Sequence, residues 1–347
     1  MALIYDTVTA PNLSGYYNRK IQEVDATLGE KIFPARKQLG LKLGLVKGSA
    51  GRPVVLRPAA FDTKVTLRDR MNVVINEEEM PFFKEAMLVK EQDRQQLNLI
   101  SQTGNQALID TILQGIFDDQ TTLVNGAKAR LEAMRMQVLA TGKISINSNG
   151  VPKDYDYGVD DSRKGTVAKG WSDGSKATPI ADIEKTLEAM AELGLKAEVL
   201  IMNAKTFSQA KNAASTLTII KPLAPKGAAV TKNEFKAYLQ DEYDVQVVIE
   251  NGIYVDDDGV AKKYFPDGVV TFAPNASLGT TTFGTTPEES DLLGGNITNA
   301  TVSIVETGIA ITTTKETDPV NVQTKVSMIA LPSFERLDDV YMLDVEP

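Results

Sequence analysis

"RLEAMRMQVLATGKISI", residues 130–146, joins two kinds of structure in one short run. Leu131, Met134 and Val138 recur three and four residues apart, which puts them on one face of a helix. Gly142 follows the last of them, and a glycine just past an apolar stripe is a stop signal, because it enters the left-handed backbone region without a Cβ clash. "KISINS" after it alternates apolar and polar residues and predicts a strand leading away.

Upstream, the stripe continues through Ile109, Ile112, Leu113, Ile116, Phe117, Leu123 and Val124. At 1.5 Å per residue a helix from Ala107 to Leu139 spans roughly 50 Å, longer than most domain helices. Gly104, Gly115 and Gly126 each cost about 1 kcal/mol relative to alanine, so breaks are expected. "NEEEMPFFKEAM" places Glu77, Glu78 and Glu79 ahead of Pro81, which predicts that the helical region begins there: acids favoured by the dipole, then proline in the first turn.

Before that lies a segment of opposite charge to the whole. The chain carries a net charge of −9, yet between Lys47 and Arg70 six basic residues (Lys47, Arg52, Arg57, Lys64, Arg68, Arg70) face two acids (Asp62, Asp69). Val65, Leu67, Met71, Val73 and Ile75 alternate with Lys64, Thr66, Arg68, Arg70 and Asn72, giving a strand with an apolar face and a basic face. "PVVLR" at 53–57 supplies a partner strand, so the segment reads as a two-stranded arm. Such a ribbon is marginal alone in water and needs a third surface over its apolar side, supplied by its own core or by a neighbouring subunit. The first 45 residues show no sustained period, with glycines at 40, 44, 48 and 51, and predict an extended N-terminal segment.

Downstream, residues 149–177 are rich in Gly, Asp, Lys and Ser, include the only tryptophan, Trp171, and read as a loop or domain crossing. An α/β pattern follows. "TPIADIEKTLEAMAELG" opens at Thr178 and Pro179 and stops at Gly194. "KAEVLIMN" is a strand and "AKTFSQAKNAAS" a helix. Thr231 and Glu234 have capping-box spacing at the head of "KNEFKAYLQDEY", and "DVQVVIE" is a buried strand. "GIYVDDDGVAKKYFPDGVVTFAP" predicts a hairpin turning at Asp258-Gly259. The tail is rich in threonine and valine and predicts strands.

The composition removes most chemistries. With neither cysteine nor histidine, the chain has no thiolate, disulfide, Cys/His zinc site, Ser-His-Asp triad or imidazole switch. Its acidic balance argues against a nucleic-acid footprint, and no apolar run reaches the length of a membrane span. The start lacks a signal-peptide pattern, which predicts folding in a cytosol. The Asp256, Asp257, Asp258 run with Gly259 fails as a calcium loop, since the twelfth position falls on Phe265. "SQAK", Ser208 to Lys211, has serine-lysine spacing without companion motifs. A carboxylate or metal site in the 178–275 region would require Asp241, Glu242, Asp256 and Asp258 to converge. No nucleotide-binding or hydrolase signature is present. No enzyme and no cofactor are expected.

Taken in order, these segments resemble the major capsid proteins of tailed bacteriophages, in particular their lambda-type branch. The resemblance rests on residues 130–146 with Gln137 and Thr141-Gly142-Lys143, on Trp171 ahead of "TPIADIE", on Gly259, Lys263, Pro266 and Asp267 in the hairpin segment, and on "ALPSFERLDDVYMLDV" near the C-terminus. It implies an α+β fold of the Hong Kong 97 type. The N-terminal arm would be 1–46 and the extended β-hairpin loop 47–80. A peripheral domain with the spine helix would comprise 81–170 and 302–347, and an α/β axial domain 171–301. It also implies a structural protein without an active site, forming pentamers and hexamers in an icosahedral shell around double-stranded DNA. Scaffolding and portal proteins would assist in the host cytoplasm, and a decoration protein could add to the virion. The inter-subunit contact would lie on Arg52, Arg57, Lys64, Val65, Leu67, Arg68, Arg70, Met71 and Val73. An encapsulin-like nanocompartment shell of the same fold is the alternative. Some relatives carry a Lys–Asn cross-link, for which Lys64 and Asn321 are the candidates. The branch resembled is not known for it, and Lys64 is read as a surface lysine.

Overall fold

A computed structural model describes residues 4–21, 25–47, 74–89, 91–103, 106–148, 151–223, 225, 228–256, 258–292, 299–317 and 320–347. Along the chain, helices α1 (Ile4–Thr7), α2 (Ala10–Ile21) and α3 (Leu28–Ile32) precede strands β1 (Ala35–Lys37), β2 (Lys42–Lys47), β3 (Val74–Glu79) and β4 (Phe82–Leu88). Helices α4 (Glu91–Thr103) and α5 (Gln106–Thr141) lead to strands β5 (Lys143–Ser148), β6 (Val151–Asp156) and β7 (Lys164–Thr166). Next come α6 (Pro179–Glu192), β8 (Val199–Met202), α7 (Ala204–Asn212), α8 (Ala214–Ile220), α9 (Lys232–Tyr243) and β9 (Gln246–Ile249). The remaining strands are β10 (Ile253–Val255), β11 (Ala261–Lys263), β12 (Val269–Ala273), β13 (Thr280–Phe283), β14 (Ala300–Val305), β15 (Ile309–Thr317), β16 (Val320–Ser333) and β17 (Tyr341–Asp344).

The chain divides into two compact units, the first comprising Met1–Leu43, Glu77–Met134 and Thr280–Ser333. Its sheet runs β1-β13-β16-β15-β14, with β4 also paired to β16. Strand β16 organises it: β15 lies antiparallel along one stretch, β4 pairs from Gln323↔Leu88 to Ile329↔Phe82, and β13 takes the end from Ala330 to Ser333. The pairing of β4 corrects the helix start expected at Pro81. Glu77–Glu79 and Pro81 are local signals, whereas a seven-residue antiparallel ladder satisfies the backbone of 82–88 with a partner some 240 positions away. The helical region starts instead at Glu91.

The N-terminal residues are also helical rather than extended. Val8, Ala10, Leu13 and Tyr17 are buried, and the Ala10 amide donates to the Thr301 and Thr313 hydroxyls at 3.1 Å. The stripe is short and interrupted by Pro11 and Gly15, so periodicity alone does not mark it. Thr27 opens α3 in a capping box with Glu30. Buried Glu132 of α5 accepts from the Thr27 hydroxyl (2.7 Å) and the Gly29 amide (2.8 Å). Glu132→Ala strands these donors and is expected to lower unfolding stability by about 2–3 kcal/mol in urea titration. An unchanged midpoint would show that the tether contributes nothing.

Helix α5 is 36 residues long, about 54 Å at the standard rise. Gly115 and Gly126 stay inside it, exposed, where an added Cβ would meet nothing within 4 Å.

The second unit comprises Gly44–Asn76, Arg135–Gly279 and Phe334–Pro347. Its main sheet runs β7-β17-β12-β8-β9, with β8 and β9 parallel and β12 antiparallel to both of its neighbours. All four residues of β8 are buried, as a continuous apolar run requires. Strand β9, expected to be buried, forms the sheet edge and is partly exposed. Ile180, Ile183 and Met190 of α6, Phe207 of α7 and Phe235 and Leu239 of α9 close over the sheet around Trp171. The closing strand β17 belongs to this sheet, so 334–347 joins the second unit while 280–333 joins the first.

The end of α5 shows why residues 130–146 turn as they do. Gly142 sits at φ +70, with its amide donating to Val138 O at 2.8 Å, and an added Cβ would lie 2.1 Å from Val159 Cγ2. The Ser145 amide donates to Gln137 Oε1 at 3.2 Å, which ties the helix end to the new strand. Residues 151–156, expected within a loop, instead form β6 and complete an antiparallel hairpin with β5. "VPKDYD" is too polar to signal this pairing by itself.

Candidate assembly surfaces

The sequence singled out the arm. Its base is visible, because β2 and β3 pair in a two-stranded sheet. Arg52, Arg57, Lys64, Val65, Leu67, Arg68, Arg70, Met71 and Val73 lie outside the described residues. In the first unit, Leu39, Leu41, Phe82 and Leu88 remain exposed. The Met80 amide donates to Leu41 O at 2.9 Å. Asn321 is buried; its amide nitrogen donates to Val89 O at 3.0 Å and its oxygen accepts from the Val322 amide at 2.7 Å, so both ends of the side chain are engaged within the chain.

In the second unit two exposed features stand out. The β10–β11 hairpin turns at Gly259, φ +73, as expected from the sequence. Tyr254 and Tyr264 stack on one side with centroids 5.1 Å apart, and Lys262 pairs with Asp256 there. Gly252 permits the stack, since an added Cβ would lie 2.4 Å from Tyr264 Cδ2. The hairpin's base is fixed by Asp267, which accepts from Lys263 (2.6 Å), Lys205 (3.1 Å) and Asn203 (2.5 Å); Asn203 in turn caps α7. Hydrogen bonds, that from Lys263 foremost, hold the Asp267 carboxyl below the ordinary aspartate range against the opposing effect of its partial burial. Three of the residues that carry the family resemblance, Gly259, Lys263 and Asp267, therefore have concrete structural work as a turn and an ionic clasp.

The other feature is the approach to α9. Lys221, Pro222, Leu223, Pro225 and Ala228 line a shallow depression, with Leu223 97% exposed. Thr231 and Glu234 form the expected capping box. The Lys221 ammonium at 2.8 Å, then the Thr231 amide and hydroxyl, hold the Glu234 carboxyl down at about 2. The sign follows for a depressed acid: this clasp is fully formed above the ordinary glutamate pKa and is lost as pH falls through about 2. NMR titration of Glu234 should show the low midpoint in the intact chain and a return toward the ordinary value in Lys221→Met.

The candidate chemistries do not come together. Asp241 and Glu242 are exposed near the end of α9, Asp256 is paired with Lys262, and Asp258 is exposed in the hairpin. Among the described residues no group of three or more potential ligands could hold a metal ion. Lys211 donates to Asn212 (2.7 Å) and Val230 O (3.0 Å), while Ser208 accepts from Asn212, so neither is arranged as a nucleophile and base. Among the described residues no helix is long and apolar enough to cross a membrane.

The profile of "Phage major capsid protein E" matches residues 10–345. The chain belongs to this capsid protein family. As a phage major capsid protein it is a structural component of the virion, and it associates with copies of itself. Solved structures agree on the fold. A protein assigned as the capsid protein of a prophage in E. coli CFT073 is 15% identical, with a TM-score of 0.60 over 97% of this chain and 99% of that one. A phage-related protein of Bordetella bronchiseptica RB50 is 13% identical, with a TM-score of 0.51 over 98% and 97%. Among curated proteins no sequence matches. The capsid protein has the α+β fold of the Hong Kong 97 type that its sequence resembled.

Proposed function

We propose that this capsid protein assembles through pentamers and hexamers into an icosahedral shell enclosing double-stranded DNA. The observation that carries this reading is the family match across nearly the whole chain. Assembly takes place in the host cytoplasm with scaffolding and portal proteins. The α/β unit of 171–279, with the closing strand β17 in its sheet, is the axial domain around the symmetry axes, and 81–134 with 280–333 is the peripheral domain. The arm lies across the next copy of the same acidic chain, a heterologous contact that closes into rings. Its charge steers and registers the contact, while Val65, Leu67, Met71 and Val73 supply burial. At about 25 cal/mol per Å², covering several apolar side chains gives a few kcal/mol per contact, which repetition makes into a shell. The net charge of −9 keeps the shell from adhering to packed DNA.

Electron microscopy of the expressed chain, with a scaffold where one is needed, should show shells, rings or tubes. Arg57→Glu with Arg68→Glu and Arg70→Glu should leave a folded chain that no longer assembles. Dispersed monomers of the unaltered chain under all such conditions would refute the reading. Particles holding cargo peptides in place of DNA would favour the nanocompartment alternative.

A further inference from the structure

The β10–β11 hairpin has two unlike sides. Tyr254, its cross-strand partner Lys262, Tyr264 and Asp256 occupy one, closed by the ring stack and the ion pair. Ile253 and Val255 occupy the other, opposite Lys263 and Ala261. Ile253 is 68% exposed, Val255 69% and Val260, beside the turn, 55%. β-Branched aliphatic residues on a solvent-facing two-stranded ribbon are an unsatisfied surface, since such a ribbon gains little stability in water without a covering layer.

A complementary surface exists on the same chain. Leu223 is almost fully exposed beside Pro222, Pro225 and Ala228, and Ile219 is exposed just before them. The charges match as well. By sequence, residues 253–263 carry three aspartates against Lys262 and Lys263, whereas residues 221–236 contain four lysines against the single acid Glu234, so the two segments have opposite net charge.

We infer that the Ile253–Val255 face of one copy seats against the Leu223 depression of the next copy around the ring. Knob and socket are different patches, so the contact is head to tail and repeats until the ring closes. The inference rests on the capsid reading and names the surfaces through which neighbouring copies meet in this part of the molecule.

The chain contains no cysteine, which makes disulfide trapping clean. A tagged chain carrying Val255→Cys and an untagged chain carrying Leu223→Cys are assembled together and oxidised. A disulfide requires Cβ atoms roughly 3.5–4.5 Å apart, so the expected product is a covalent dimer of one tagged and one untagged chain, absent when either variant is assembled alone. Microscopy of the same sample separates the two claims. Intact particles with no such dimer, or with Val255→Cys chains joined only to each other, overturn the inference and leave the shell reading standing. If the unaltered chain forms no particles, both fall. If only the cysteine chains fail to assemble, Ala261→Cys with Pro225→Cys, on the same two surfaces, repeats the trial under the same criteria.

Discussion

Trp171→Ala is expected to destabilise the second unit by about 3–5 kcal/mol, the range for removing a large buried aromatic. Trp171 is fully buried within that core. Its indole nitrogen donates to Asp182 Oδ2 at 2.9 Å, and its backbone amide donates to Val345 O at 2.9 Å. Truncation opens a cavity and leaves the Asp182 carboxylate short of a donor. Burial already pushes Asp182 above the ordinary aspartate range, against the pull of its bonds to Trp171 and Thr178. Trp171→Phe keeps most of the volume and loses only the donor, so it should cost about 1–3 kcal/mol. Urea unfolding followed by circular dichroism measures both, since the tryptophan signal is gone. Equal losses for the two variants would mean that packing around the ring matters little.

Lys325→Met is expected to cost the first unit about 3–5 kcal/mol, because it strands a buried charge. Glu288 is buried and accepts from Lys325 Nζ at 2.6 Å and from the Ser327 hydroxyl at 2.9 Å. Burial alone would raise the Glu288 carboxyl. Lys325 foremost, with Ser327 and a backbone amide, outweighs it and holds the group below the ordinary range. For such a depressed acid, stability is present above the unfolded value and is lost as pH falls through the folded one. In Lys325→Met burial prevails and the carboxyl rises, so its penalty is relieved in acid. The gap between the two proteins should therefore be widest near neutral pH, begin to narrow above about 4.3, the ordinary glutamate value, as the raised carboxyl of the variant protonates, and go on narrowing below it as the intact pair is lost. A gap independent of pH would assign the loss to packing of the lysine stem.

What could be read from the sequence was what local chemistry decides. Gly142 stops α5, Thr231 and Glu234 cap α9, Pro179 opens α6, and Gly259 turns its hairpin, because each of these is fixed within a few residues. Strand β4 was misread because its partner β16 lies far along the chain and overrides a helix-like start. Helix α2 was missed because tertiary contacts, including the threonine hydroxyls that receive Ala10, stabilise a stripe too short to signal alone. Strand β6 gave no apolar alternation, and only pairing with β5 makes it a strand. The exposed Ile253–Val255 face could have been found: both residues alternate toward one side of a hairpin that the sequence already marked. The arm was expected from its alternation and charge, and the residues that carry that pattern lie outside the described ones. Its cover lies on another molecule in the proposed assembly, which one chain does not contain.

Amide hydrogen exchange over residues 47–79, compared between the dispersed chain and the assembled particle, tests the central claim most directly. A gain in protection across 65–73 on assembly, reduced when Arg57, Arg68 and Arg70 are reversed in charge, is the expected result. Equal protection in the dispersed chain and the particle would show that the arm is covered by its own molecule, and would contradict the account.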